Sequence, residues 1–238
     1  MKTMKIERNS LCPCRSGKKY KKCCSMLERI TIKMASVRSD MQEACDNVLA
    51  KIEAGGLLCA EAEAEHLYNL YPDDHMVNFL QGVCFIQRER YQEAISFFEE
   101  AIQINPWFCE AYFNLANLYR QEIKIPQSVA SFRKIIEIEG EHGDLGKLAK
   151  KELDYFEQMI RKTSGQTLEE YLHTSILFDN AFACLRRESH QAAISLFQQV
   201  LALDPNHVQS YGNIALAHSA LGEQKMALQY LEKALLLD

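Results

Sequence analysis

The sequence predicts an all-α fold: a solenoid of helical hairpins preceded by a small cysteine-rich knuckle at the N-terminus. Three observations carry this. The segment YQEAISFFEEAIQINP at 91–106 aligns without gaps to HQAAISLFQQVLALDP at 190–205, an offset of 99, and Pro72 and Pro106 lie 34 residues apart. Three such units nearly fill the offset, which is the mark of one helical hairpin repeated along the chain. Ten glycines and five prolines in 238 residues are too few for a loop-rich all-β protein or a disordered chain. Four of the nine cysteines fall within 13 residues near the start.

The bulk numbers agree with an ordinary globular chain, at 47% hydrophobic and 25% charged residues. No apolar run approaches the ~18 residues that a membrane-spanning helix needs. The net charge of −5 hides an asymmetry: residues 1–24 carry eight basic side chains against Glu7, a net +7, which leaves 19 basic and 31 acidic side chains, −12, in the rest. A basic head therefore sits on an acidic body. Its lysines are interspersed, and no apolar core of a secretory signal follows them, so the expected location is cytoplasmic.

Cys12 and Cys14 form C-x-C, eight residues follow, and Cys23-Cys24 closes the segment, with Pro13, Ser16 and Gly17 supplying turn chemistry. Two close thiol pairs joined by a short loop can wrap one borderline-soft ion, so the four cysteines read as a tetrathiolate Zn²⁺ site. Neighbouring Arg and Lys side chains favour the thiolate form that metal binding requires. A bridge between adjacent cysteines would be strained, and a reducing compartment opposes the other pairings. Cys45, Cys59, Cys84, Cys109 and Cys184 each stand alone in helical sequence and are expected to pack as small hydrophobes.

The stretch RNSLCPCRSGKKYKKCC at 8–24 resembles the SEC-C motif, the zinc knuckle found at the C-terminus of bacterial SecA and on many unrelated proteins. Leu11 and Arg15 stand where that motif usually has Pro and Gly. The resemblance implies one zinc held by Cys12, Cys14, Cys23 and Cys24. It also implies a basic rim, Arg15, Lys18, Lys19, Tyr20, Lys21 and Lys22, that contacts a protein partner. In SecA that partner is the chaperone SecB, with the ribosome also touched.

Placing each proline at the end of its unit gives repeats at about 41–74, 75–108, 109–142, 174–207 and 208–238. Gly82, Ala116, Ala181 and Ala215 then share one position, small residues where paired helices approach, with Phe85, Tyr119, Cys184 and His218 three residues on. Ala94, Ala193 and Ala227 match in the second helix, followed by Phe98, Phe197 and Leu231; the third repeat has Ser128 and Phe132 instead. This pattern resembles the tetratricopeptide repeat (TPR) family over most of 41–238. The family implies a right-handed superhelix whose first helices line a peptide-binding groove. Counting from each unit's start places Phe79, Val83, Asn114, Asn117 and Asn213 on the groove side.

The resulting domains are a knuckle at 1–25, about three repeats at 26–142, an irregular helical unit at 143–173, and about two repeats at 174–238, the last incomplete. In the irregular unit Leu145 to Ile160 read as a helix, Thr163-Ser164-Gly165 as its stop, and Leu168 as the start of a long helix. Leu235-Leu236-Leu237 makes a poor polar cap for a repeat stack. The expectation is either a longer protein or association through that end.

No H-E-x-x-H or G-x-S-x-G is present, and Gly143-x-x-Gly146-Lys147 lacks the first glycine and the Ser/Thr of a phosphate loop. His218 is expected to be a core histidine, and Trp107, at a repeat junction, to be packed. The function expected is a non-enzymatic zinc-binding scaffold whose groove takes peptide segments of a protein partner while the knuckle meets an acidic surface, such as a chaperone or the ribosome. Two alternatives remain. One is nucleic-acid binding through the lysines, which the acidic body and single aromatic disfavour. The other is a recognition arm for a catalytic domain beyond Asp238.

Overall fold

The computed structural model describes residues 19–22 and 40–237. Cys12, Cys14, Cys23, Cys24, Arg15 and Lys18 lie outside the described residues. Tyr20–Lys22 form a single 3-10 turn. The rest is helix after helix: α1 covers 40–53. It is followed by α2 Leu57–Leu70, α3 His75–Gln87, α4 Tyr91–Ile104, α5 Cys109–Gln121 and α6 Ile125–Glu139. Then come α7 Asp144–Ser164, α8 Leu168–Arg186, α9 His190–Leu203, α10 Val208–Ala220 and α11 Gln224–Leu237. The chain divides into two compact units, Met1–Ala111 and Tyr112–Asp238.

Each hairpin closes around the residues the repeat register singled out. An added Cβ at Gly82 would lie 2.6 Å from the Phe98 ring, so glycine is what lets α3 and α4 touch there. Ala116, Ala181 and Ala215 are buried at the matching position, and Phe98, Phe132 and Phe197 are fully buried opposite. In the third repeat the Ser128 hydroxyl donates to the Ala116 carbonyl at 2.8 Å, which satisfies a buried polar group within the seam. In the first unit Cys45 and Val48 of α1 pack with Ala60, Ala64 and Leu67 of α2 and with Val77, Leu80 and Cys84 of α3.

The first helix of each later repeat ends in the same way. Glu89, Ile123, Glu188 and Gly222 adopt φ of +58°, +60°, +58° and +79°. Their N–H groups donate three residues back, to Ile86, Arg120, Leu185 and Ser219. The next N–H in each case reaches five residues back: Arg90 to Phe85, Lys124 to Tyr119, Ser189 to Cys184 and Glu223 to His218. That pair of bonds is a Schellman C-cap, and its left-handed residue would ordinarily be glycine. Only the last of these four repeats uses one.

The irregular unit follows the sequence reading closely. The helix predicted over Leu145–Ile160 runs from Asp144 to Ser164 and stops at Gly165, with φ +74°. The Glu139 carboxylate accepts from the N–H groups of Leu145 (3.1 Å) and Gly146 (3.2 Å). This helix N-terminus thus already holds an anion, where a phosphate loop would offer free N–H groups. A Cβ on Gly146 would sit 1.9 Å from the Gly140 carbonyl oxygen, so the turn closes only with glycine. Thr167 and Glu170 form a reciprocal capping box that starts α8.

Two packing expectations need correction. Trp107 is exposed rather than packed. Asn105 caps the turn by accepting the Trp107 N–H (3.2 Å), and it is Phe108 that turns inward against Phe79 and His75. Among the single cysteines, Cys45, Cys84 and Cys109 are buried and Cys184 is partly so, but Cys59 is exposed on α2. His218 is buried as expected; its Nδ1 meets Glu223 Oε2 at 2.5 Å and its ring stacks on Tyr230.

Candidate functional site

A repeat's first helix has one side against its own second helix, one against the neighbouring first helix, and one left to the surroundings. In the second unit α8 and α10 are such neighbours. Phe182 and Leu216 lie 34 residues apart, at the same register position of the two helices. Both are exposed, at 46% and 62%. Large apolar side chains held in water at matching points of adjacent helices are the informative kind of exposure.

The surroundings of this pair are polar and sparsely filled. Phe182 is backed by Phe178 in a near-parallel stack, centroids 6.5 Å apart. Phe178 in turn contacts the Phe197 ring and His207, which anchors the platform to the hairpin core. Gly212, which matches Phe178 in register, has nothing within 4 Å of where its Cβ would lie, so a shallow gap opens beside Leu216. Asn213 is half-buried next to this gap, and Asp179, its counterpart on α8, is exposed.

His207 fixes the start of α10. Its Nδ1 accepts from the Ser210 N–H at 3.3 Å, capping the helix. Burial pushes the imidazole pKa down, with the nearby Asp204 charge acting in the opposite sense. The neutral ring that this favours is the form able to accept the bond.

The other groove residues expected from sequence fall in different places. Phe79 is buried, in contact with Phe98 and Phe108, so it supports the interior of the first unit rather than offering a free surface. Val83 is half-buried on the same helix. Asn114 and Asn117 belong to the second unit and are half-buried. Asn117 donates to the Phe113 carbonyl at 2.9 Å, a bond within its own helix. Phe182 and Leu216 were not singled out from sequence, although shifting Val83 and Asn117 along the register points to them.

At the N-terminal head, Lys19, Lys21 and Lys22 are exposed, and the Lys22 N–H donates to the Lys19 carbonyl at 2.8 Å. Among the described residues no group of three or more His, Cys, Asp or Glu side chains is arranged to hold a metal. No helix among them is long and apolar enough to cross a membrane.

These features define a helical-repeat protein of the tetratricopeptide class, a TPR solenoid. Comparison with protein families makes this particular: a SEC-C motif matches residues 8–25, and tetratricopeptide repeats match 76–106, 110–142 and 196–229. The chain is an N-terminal SEC-C motif followed by tetratricopeptide repeats. No curated protein matches it. Among solved structures it is similar to the crystal structure of MamA protein, at 14% identity over 83% of this chain and 91% of that one, TM-score 0.37. It is also similar to YrrB, described as a TPR protein with an unusual peptide-binding site, at 15% identity over 87% and 91%, TM-score 0.38.

Proposed function

We propose that this protein is a non-enzymatic interaction scaffold that binds an extended peptide segment across α8 and α10 and a second, acidic protein surface through a zinc knuckle. The observation that carries the reading is the register-matched, exposed pair Phe182 and Leu216. An apolar side chain of the peptide sits between the two, the gap at Gly212 admits its backbone, and the Asn213 amide both donates to and accepts from that backbone. Glu110, Phe113, Gln209 and Gly212 occupy the places where a clamp for C-terminal carboxylates would need Lys or Arg. The ligand is therefore an internal apolar segment rather than an acidic chaperone tail.

For the knuckle, four cysteines within the SEC-C match supply a donor set of thiolates that suits tetrahedral zinc. Cys12, Cys14, Cys23 and Cys24 would hold the ion, whose binding supplies folding energy to a segment too short for its own core. Arg15, Lys18, Lys19, Tyr20, Lys21 and Lys22 then form the contact rim.

Selection of displayed peptides on the intact chain tests the groove: recovered sequences should share an apolar side chain and lose at least about tenfold in affinity on Leu216→Glu, since the burial of one large side chain is worth about 1.5–3 kcal/mol. Elemental analysis tests the knuckle. One zinc per chain is expected, lost in Cys23→Ser/Cys24→Ser; stoichiometric zinc retained by that variant contradicts the assignment.

A further inference from the structure

The second helices α9 and α11 occupy equivalent places in successive repeats, and their apolar stripes match residue for residue. Ile194, Phe197 and Leu201 on α9 correspond to Leu228, Leu231 and Leu235 on α11. On α9 the stripe is interior: Ile194 is 3% exposed and Phe197 is fully buried, in one cluster with Ile214 and Ala217 of α10. On α11 the same stripe is in the open, with Leu228 at 60% and Leu235 at 77% exposure. The fold therefore presents, one repeat further on, the surface that α9 covers with a helix, and no helix covers it among the described residues.

We infer that this stripe is the contact between two copies of the chain, α11 packing antiparallel on the partner's α11 about a two-fold axis level with Leu228 and Gln229. The charges beside the stripe select this arrangement. Lys225 and Glu232 lie seven residues apart, two helical turns, on the same flank of the stripe. An antiparallel two-fold pair brings the same flank of each helix together. With the axis at this level Lys225 faces the partner subunit's Glu232 and Glu232 faces the partner subunit's Lys225. Neither forms an ion pair with any described residue. The leucines of both helices then interleave along the seam, and the same patch serves both subunits, as a closed two-fold contact requires.

Light scattering and sedimentation of the full chain at micromolar concentration test this. The wild type should be a dimer, and Leu228→Asp should be monomeric with unchanged helical circular dichroism. Lys225→Glu should weaken the dimer by about tenfold, because two symmetric attractions become repulsions, and Lys225→Glu/Glu232→Lys should restore it. That rescue keeps the inference open to test should Leu228→Asp disturb the fold. A wild-type chain that stays monomeric, with α11 left to some other partner, overturns it. So does a dimer that survives Leu228→Asp, or a charge swap that fails to restore association.

Discussion

Replacing Ile123 with glycine should stabilise the protein, although it removes a large hydrophobic side chain. Ile123 holds φ at +60° in the C-cap of α5. Its side chain is 81% exposed, so its removal sacrifices almost no burial. A left-handed conformation costs an L-residue roughly 1–2 kcal/mol, and a β-branched one stands at the upper end. Glycine escapes that cost but loses more chain entropy on folding, roughly 0.5–1 kcal/mol. The balance is a gain of about 1 kcal/mol, or ~2–4 °C in melting temperature for a chain of this size. Urea and thermal unfolding of wild type and variant, followed by circular dichroism, measure it. Gly222→Ala, at the same turn of the next-to-last helix with φ +79°, serves as the reverse control and should cost a similar amount. An Ile123→Gly variant less stable than wild type, together with a neutral Gly222→Ala, would refute the reasoning.

Three further outcomes follow from local chemistry. Acidification should weaken the second unit through His207: burial holds its pKa below the ordinary value. Its contribution is thus present above the unfolded value near ~6.5 and is lost as pH falls through the lower folded value. His207→Asn, which keeps a capping side chain without titrating, should flatten that part of the pH–stability curve. Burial pushes the thiols of Cys45 and Cys84 up to about 11, so in the native protein iodoacetamide should modify exposed Cys59 well before either of them. Peptide mapping at short times would read the order, and early modification of Cys84 would contradict it. Gly146→Ala should destabilise by at least about 2 kcal/mol, because the added carbon meets backbone rather than a movable side chain. Equilibrium unfolding of that variant measures the loss.

The repeat register was legible because it is written in large buried side chains. Phe98, Phe132 and Phe197, each opposite a glycine or alanine, recur at fixed spacing and fixed the hairpins before any coordinate was known. The stop at Gly165 and the start near Leu168 were legible for the same reason, as turn chemistry between periodic segments. The groove was less so. An apolar residue on a first helix can face its own hairpin, its neighbour or the surroundings, and spacing alone does not separate the three. Phe79 turned inward onto Phe108 while Phe182, three residues after the point equivalent to Phe79, stayed in the open. Choosing asparagines as groove markers favoured Asn117, whose amide is engaged by its own helix, over Leu216. Nor did composition foretell the left-handed caps at Glu89, Ile123 and Glu188, because three of four lack the glycine that would announce them.

The central claim is that peptide recognition sits on α8 and α10 rather than on the first unit. Calorimetric titration of one selected peptide into wild type, Leu216→Glu and Val83→Glu, positions equivalent in register but in different units, tests it directly. The account predicts that Leu216→Glu weakens binding by at least about tenfold while Val83→Glu leaves it unchanged. Loss of binding in Val83→Glu with full affinity retained by Leu216→Glu would contradict it.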